Sequence, residues 1–326
     1  MADKPGGGHG QAGSVQPSSF RRRLQSGEFA VTAEIGPPRG ADTAPVTRKA
    51  ALLRGSVDAV NITDNQSAAV RLSSLAGSLA ALEAGLEPIM QLTCRDRNRI
   101  ALQSELLSAS ALGVPNVLIM TGDHPRHGDH ADAKPVFDLD STQLLKVASA
   151  MRDQGHLMSG GELKPPPSWF LGAVENPPGP ASSGQAAADA ADKATYRLAA
   201  KIEAGAQFVQ TQFVFDVPAF AAWMTQIRDL GLDQRCRILA GVGPARSHRA
   251  LAHLATIPGV VIPDHVADRL AAASADRIRT EGEKLCAEII AQLAEVPGVA
   301  GVHVMAIGAE SSIPAILQQA GLPGRP

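Results

Sequence analysis

Aromatic side chains are scarce in this chain. Only 3% of its 326 residues are Phe, Trp or Tyr, whereas 44% are hydrophobic. The core must therefore be built from Ala, Val, Leu and Ile, which is typical of α/β barrels. A chain of this length can form one large barrel or two ordinary domains.

Cysteine is also rare, and Cys94, Cys236 and Cys286 stand far apart. Three distant cysteines give neither a disulfide framework nor a C-x-x-C zinc site, and they fit a reducing compartment. We expect Cys94 to be a small buried residue and not a nucleophile. No apolar run approaches the length of a membrane span. We therefore expect a cytoplasmic protein with no membrane association.

The chain also lacks an excess of positive or negative charge. The 30 basic and 32 acidic residues offer no field that would attract nucleic acid. Residues 1–17 are rich in Gly, Ser, Gln and Pro and lack a hydrophobic run. We expect them to form a disordered N-terminal tail and not a signal peptide. This leaves residues 18–326 as the folded domain.

Short apolar runs alternate with helical patterns through the folded part, with a period of about 30 residues. The predicted strands are 29–35, 57–63, 87–94, 117–120, 169–174, 207–213, 237–242 and 299–305. The helical segments between them include 67–84, 190–204 and 263–295. Eight strands, each followed by a helix, predict a single (β/α)8 TIM barrel of the α/β class. An open doubly wound sheet is the alternative, but no G-x-G-x-x-G follows the first strand.

Polar residues stand where the predicted strands end. They are Glu34, Thr63, Asp64, Thr93, Asp123, Glu175 and Gln212. Because the carboxyl ends of barrel strands converge on one mouth, we expect these side chains to surround one active site.

Two carboxyl groups are the first candidates for chemistry. Glu34 is flanked by Ala33 and Ile35, and burial would favour its protonated form and suit it to general acid work. An ion pair between Glu34 and Arg39 at the rim is the alternative. Asp123 follows an apolar strand and a Gly, which is how an α/β enzyme places an acid over its sheet. Asp123 could instead cap the following turn.

Amide and imidazole groups also mark this end of the barrel. Gln210 and Gln212 are two residues apart in a strand and share one face. A buried amide is costly without a partner, which favours ligand binding for Gln212. The long loop after the fourth strand holds His124, His127 and His130. We expect this loop to cover the site and do not expect it to bind a metal.

Four motifs stand in register with the predicted strands. They are Ala33-Glu34-Ile35-Gly36-Pro37-Pro38, Leu92-Thr93-Cys94, Gly122-Asp123, and Thr211-Gln212-Phe213 preceded by Lys201. With these motifs, residues 29–216 resemble the 5,10-methylenetetrahydrofolate reductases. The segments Asn61-Ile-Thr-Asp-Asn-Gln66 and Cys94-Arg-Asp-Arg-Asn-Arg99 look most like the short form of acetogenic bacteria and their relatives.

The resemblance implies a flavin-dependent oxidoreductase of one-carbon metabolism. In a ping-pong cycle, NAD(P)H would reduce the flavin, and the flavin would then reduce methylenetetrahydrofolate to methyltetrahydrofolate, or the reverse. The cofactor would be FAD, with FMN as the alternative, and NADH or NADPH would be the co-substrate. A separate zinc-containing partner subunit and a homo-oligomer are also implied.

The resemblance assigns roles to residues. Glu34 matches the general acid that protonates folate N10, and Asp123 matches a catalytic acid that contacts the pterin and tunes the flavin. Gln212 and Thr63 match substrate contacts to folate and nicotinamide. The positions that correspond to the family's cofactor contacts are Asp64, Gln91, Thr93, Thr121, Gly122, Asp123, Glu175, Arg197 and Lys201.

Some cofactor positions depart from the family. Gln91 stands where the family often has His, Thr121 where it has Arg, and Pro177-Pro178 where it has His-Pro. These departures concern the flavin and not the proton chemistry. Two alternatives therefore stay open: a flavin- or folate-binding subunit of a larger electron-transfer complex, and a carboxylate-based lyase that needs no flavin.

Overall fold

The computed structural model describes residues 18–178, 185–306, 308–322 and 324–325. Within them, eight parallel strands close into one barrel and follow each other around it in chain order. The predicted (β/α)8 TIM barrel is confirmed, and the open sheet is wrong. The expected disordered tail, residues 1–17, lies outside the described residues.

The barrel alternates strands with helices. The strands are β1 Ala30–Ile35, β2 Ala59–Ile62, β3 Pro88–Thr93, β4 Asn116–Met120, β5 Phe170–Glu175, β6 Phe208–Phe213, β7 Arg237–Val242 and β8 Val299–Val304. The helices are α1 Ser19–Ser26, α2 Ala44–Leu53, α3 Ser74–Glu83, α4 Arg99–Ala111, α5 Ser141–Asp153, α6 Gln185–Glu203, α7 Val217–Asp229, α8 Leu232–Arg235, α9 His248–Leu254, α10 Asp264–Ala271, α11 Ile278–Ala294 and α12 Ile313–Gln319.

Alternate residues of each strand face the barrel interior, and those near the strand starts are apolar. Their cluster consists of Ala30, Ala59, Ile89, Leu118, Phe170, Phe208 and Leu239. Phe20 and Leu24 of α1 join this cluster. The Phe20 ring lies 5.3 Å from that of Phe208 and 5.9 Å from that of Phe170, in edge-on contacts that suit aromatic pairs. Helix α1 therefore plugs the amino-terminal end of the barrel.

The outward faces of the strands pack against the helices. Val31, Ala33 and Ile35 of β1 are fully buried in this outer layer, whereas the alternating Thr32 and Glu34 point inward. Each fully buried Val, Leu or Ile contributes roughly 1.5–3 kcal/mol. The core is mostly aliphatic, as expected from the scarcity of aromatic residues, but its largest fully buried side chains are aromatic, namely Trp169, Trp223, Phe20, Phe208 and Phe220.

The helix predicted over 67–84 is shorter in the structure. Ser67 and Ala68 have positive φ angles of 57° and 53°, which no α-helix accepts. Helix α3 begins only at Ser74, after Ser73 caps it by accepting a hydrogen bond from the Ala76 amide. The residues before this cap form an irregular loop at the mouth of the barrel.

Two other helical predictions also need correction. The segment predicted over 263–295 is divided into α10 and α11, and Ala272 to Arg277 form the break between them. Helix α6 begins at Gln185, five residues before the predicted start at 190. Its first turns are Ala-rich, and Ala is the strongest helix former. The helical periodicity predicted that these segments are helices but not where they end.

The three cysteines are buried and unpaired. Burial, with a smaller effect of Asp140, raises the pKa of the Cys94 thiol to about 12, so it stays neutral and unreactive. This agrees with the expected packing role of Cys94. Among the described residues, no helix has both the length and the apolar character needed to cross a membrane.

Candidate active site

A cavity of about 400 Å³ opens at the carboxyl ends of the strands. The predicted site residues that line it are Glu34, Thr63, Asp64, Gln91, Thr93, Thr121, Gly122, Asp123, Lys201 and Gln212. Glu175 and Arg197 do not line the cavity. Glu175 forms ion pairs with the lining residue Lys201 and with Arg197. Apart from Glu175, the polar residues at the strand ends therefore meet at one cavity, as expected.

Glu34 lies on the inner wall of the cavity with 7% of its surface exposed. The side-chain amide of Gln91 donates to one of its oxygens at 3.3 Å, and that of Gln66 donates to the other at 3.4 Å. The Nε2 atom of His303 lies 3.8 Å away. Glu34 is thus held by neutral amides in a mostly dry position.

A chain of polar side chains continues below Glu34. The Thr32 hydroxyl lies 3.0 Å from His303 Nδ1 and accepts a hydrogen bond from Gln210 at 3.1 Å. The amides of Gln210 and Asn61 form two reciprocal bonds of 2.6 and 3.1 Å. These groups satisfy each other inside the barrel and make a rigid polar floor for the cavity.

Sequence reasoning missed most of this floor. Thr32, Asn61 and His303 were not recognised as site residues. The available signal was the alternation of the strands, because Thr32 lies two residues from Glu34 and Asn61 two residues from Thr63. A strand whose last inward residue is functional is expected to present the preceding inward residue to the same cavity.

The hydroxyl group of Thr63 is buried and has no hydrogen-bond partner among the described residues. Leaving such a group unpaired costs about 1–3 kcal/mol. Because Thr63 lines the cavity, its hydroxyl is available to a ligand. The assignment of Thr63 to substrate binding stays a prediction, and this geometry is compatible with it.

Asp123 is exposed at the rim of the cavity, directly after Gly122, whose φ is +87°. Its carboxylate accepts no hydrogen bond from any described residue. The turn Pro125–His127 is capped by His124, which accepts a bond from the Arg126 amide at 3.2 Å. The interpretation of Asp123 as the cap of this turn is therefore wrong.

The loop after β4 lies beside the mouth. Asp129 accepts a hydrogen bond from the Val70 amide at 3.2 Å and pairs with Arg39 at 3.4 Å. The alternative ion pair of Arg39 with Glu34 is therefore wrong. None of the three loop histidines lines the cavity, so the expectation that this loop covers the site is not met. Within the described ranges, no group of His, Cys, Asp and Glu has the arrangement of a metal site.

A positive cluster stands between β5 and α6. Buried Glu175 accepts a bond of 2.7 Å from Lys201 and bonds of 2.9 and 2.8 Å from Arg197. Lys201 also donates to the Val174 carbonyl at 2.6 Å. Two cations share one carboxylate, so the cluster carries an excess positive charge beside the cavity. Such a charge suits an anionic group of a ligand.

Asp64 is held entirely by the protein. Its carboxylate accepts bonds of 2.9 Å from both the amide and the hydroxyl of Thr93, and bonds of 2.7 and 3.1 Å from Arg97. Burial lowers the pKa of Arg97, but the bond and charge of Asp64 outweigh it and raise the pKa above its ordinary value. Asp64 therefore joins two strand ends, and its predicted cofactor contact stays a prediction.

Gln212 is presented by an irregularity in the sheet. The register between β6 and β7 shifts between Gln210 and Phe213, as in a β-bulge. Within the bulge, the Thr211 hydroxyl accepts a bond of 2.9 Å from the Gly241 amide, and Gln212 Oε1 accepts one of 3.0 Å from Phe213. Gln210 and Gln212 both line the cavity, as predicted.

The bulge depends on a glycine in β7. A Cβ at Gly241 would lie 2.2 Å from the Thr211 carbonyl oxygen and 2.8 Å from that of Gln212. We expect Gly241→Ala to lower the free energy of unfolding by about 1–3 kcal/mol, because backbone must move. Urea denaturation measures this effect. Gly40→Ala is the control, since nothing lies within 4 Å of its Cβ. Equal losses in both variants would contradict the steric argument.

The family model described as methylenetetrahydrofolate reductase matches residues 19–321. A probable methylenetetrahydrofolate reductase (NADPH) of Caenorhabditis elegans is 25% identical over 77% of this chain and 34% of its own length. Methylenetetrahydrofolate reductase 2 of Saccharomyces cerevisiae is 27% identical over 76% of this chain and 39% of its own length. The chain thus spans little more than a third of these relatives.

A solved structure shares the fold. An uncharacterized protein from Clostridium thermocellum that binds two copies of 5-methyl-5,6,7,8-tetrahydrofolic acid superposes with a TM-score of 0.61. The match covers 91% of this chain and 97% of that one, at 13% identity. At this identity the likeness concerns the fold alone.

Proposed function

Because the chain belongs to the methylenetetrahydrofolate reductase family, we propose that it interconverts 5,10-methylenetetrahydrofolate and 5-methyltetrahydrofolate with a flavin and NAD(P)H. The curated relatives are named for this reductase activity. The observation that carries the proposal is that Glu34, Asp123 and Gln212 line one cavity. They supply an acid, a carboxylate and an amide to the same substrate.

Glu34 is proposed as the general acid. Opening the five-membered ring of the folate requires a proton at N10, and a carboxyl group shielded from water can deliver it. The amides of Gln91 and Gln66 orient both oxygens of Glu34. The polar floor that includes His303 limits the movement of the group from below.

Substrate recognition is proposed for the groups that remain unsatisfied. The free carboxylate of Asp123 suits the guanidine-like edge of a pterin, which offers two parallel donors. The Gln212 side chain uses its oxygen on Phe213, so its amino group is available to a ligand. The unpartnered hydroxyl of Thr63 is proposed to bind the nicotinamide side of the site.

The residues present fit a flavin nucleotide. Lys201 and Arg197 supply the excess positive charge that its phosphate needs, and Thr93 supplies a polar contact in the cavity wall. A bound flavin would carry the hydride from NAD(P)H to the methylene carbon in two half-reactions. The Thr121 hydroxyl bonds to Ser141 at 3.1 Å and brings no charge. The phosphate contacts therefore depend on Lys201 and Arg197, for FAD and for its alternative FMN.

An absorbance spectrum tests the proposal. The purified protein is expected to show a flavin band that bleaches with anaerobic NADH and returns when methylenetetrahydrofolate is added. Chromatography of the released flavin distinguishes FAD from FMN, and repeating the bleach with NADPH identifies the donor. A protein that turns over folate without any flavin band would contradict the cofactor assignment.

A second candidate is a flavin- or folate-binding subunit that receives electrons from a partner. It is favoured by Thr121 and Gln91, whose side chains are bonded to Ser141 and Glu34. A band that ignores both NADH and NADPH would select this candidate. The zinc-containing partner subunit and the homo-oligomer stay predictions. Cytoplasmic location is proposed, and the three buried free thiols support it.

A further inference from the structure

Arg95 is a buried charge at the rim of the cavity. It follows β3 by two residues, and only 2% of its surface is exposed. Arginine is almost never fully buried unless it is paired. Arg95 lines the cavity but was not recognised as a site residue from the sequence. The burial of this charge therefore needs an explanation, which the contacts of Arg95 provide.

The guanidinium group of Arg95 joins three loops. It donates two bonds of 2.8 Å to Asp96 in its own loop and one of 3.2 Å to the Asn65 carbonyl after β2. It also donates a bond of 3.4 Å to the Asp123 carbonyl after β4. The planar fork of arginine can reach several acceptors in fixed directions, which a lysine cannot do.

The segment that carries Asp123 is pressed against Arg95. A Cβ at Gly122 would lie 3.0 Å from Thr93 Cβ and 3.3 Å from Arg95 Cβ. Only a glycine fits this contact with a φ of +87°. The direction in which the chain leaves β4 is therefore set by Thr93, Arg95 and Gly122 together.

The Asp123 carboxylate has no hydrogen-bond partner among the described residues, so its position depends on its backbone. We propose that Arg95 is a positioning residue that aims the Asp123 carboxylate into the cavity by holding its carbonyl group. The inference rests on the proposed function, in which Asp123 binds the pterin. The charge of Arg95 is paired with Asp96 at 2.8 Å and is also attracted by the Asp123 carboxylate, so Arg95 holds Asp123 through its carbonyl group and through its charge.

The test compares Arg95→Met and Arg95→Lys with the unsubstituted holoenzyme. A misplacement of about 1 Å at a reacting group can lower the reaction rate about 100-fold. We expect both variants to raise the KM for methylenetetrahydrofolate by about 10-fold to 100-fold. Flavin reduction by NADH takes place without the pterin and is expected to fall less than the folate half-reaction. Asp96 loses its ion pair in the Met variant, but water can solvate its carboxylate, because 37% of its side chain is exposed.

Arg99→Met is the matched control, because Arg99 also pairs with an aspartate but stands outside the cavity. We expect it to leave both half-reactions unchanged. A double variant with Asp123→Ala completes a mutant cycle. If Arg95 acts through Asp123, Arg95→Lys adds nothing to the KM effect of Asp123→Ala. Independent, additive effects would overturn the inference, and so would full activity of Arg95→Lys.

Failure of the proposed function can be distinguished from failure of the inference about Arg95. If the unsubstituted protein does not turn over methylenetetrahydrofolate, the reaction is rejected before any variant is compared. If it does, and Arg95→Lys loses the NADH and folate half-reactions equally, Arg95 supports only the fold. Both results can be told from the expected one by the same two rate measurements.

Discussion

Replacing Glu34 with Gln is expected to slow the reduction of methylenetetrahydrofolate by about 100-fold to 10,000-fold. The amide keeps the size of the carboxyl group and one of its two acceptor oxygens, but it cannot deliver a proton to N10. Its NH2 group faces the side-chain amide of Gln91 or Gln66, which must turn its own oxygen towards it. Reduction of the flavin by NAD(P)H does not need this proton and is expected to persist. Stopped-flow absorbance measures the two half-reactions separately, with the flavin band as the signal.

The control for Glu34→Gln is a buried glutamate elsewhere. Glu310 is 6% exposed and pairs with Lys49 at 2.6 Å, away from the cavity lining. We expect Glu310→Gln to change stability but not the ratio of the two half-reactions. If Glu34→Gln slows both half-reactions equally, Glu34 is a structural residue and its assignment as the acid is wrong.

The barrel could be predicted from the sequence because its signal is repeated along the chain. Each strand is a short apolar run, and each helix follows it at a similar distance. Helix ends were predicted less well, because they depend on single groups such as the cap of Ser73 on the Ala76 amide. An irregular loop that begins with Ser67 therefore looked helical.

The position of the site could also be predicted, but the use of each side chain could not. Polar residues at strand ends must meet at the mouth of a barrel. Whether a carboxylate is free or engaged depends on loops that are distant in sequence. Asp123 is free for a ligand, whereas Asp64 is occupied by Arg97, which lies 33 residues further along. Arg95 was missed for the same reason, since its partners lie on three loops.

The environment of Asp64 leads to the largest expected loss of stability. Its side chain is 0% exposed, and that of its partner Arg97 is 16% exposed. Removing one partner of a buried pair costs about 3–5 kcal/mol, because the other charge is left uncompensated. We therefore expect Asp64→Asn to lower the free energy of unfolding by about 3–5 kcal/mol, measured by urea denaturation with and without added flavin.

An aspartate–arginine pair at the surface provides the control for Asp64→Asn. Asp138 accepts two bonds of 2.8 Å from the guanidinium group of Arg99 and one from its amide. These bonds lower the pKa of Asp138 to about 2, so its carboxylate is ionised at neutral pH. Water can replace the lost contacts there, and Asp138→Asn is expected to change stability little. If Asp64→Asn is equally harmless without flavin but weakens flavin binding, Asp64 is a cofactor ligand and not the structural link between two strand ends.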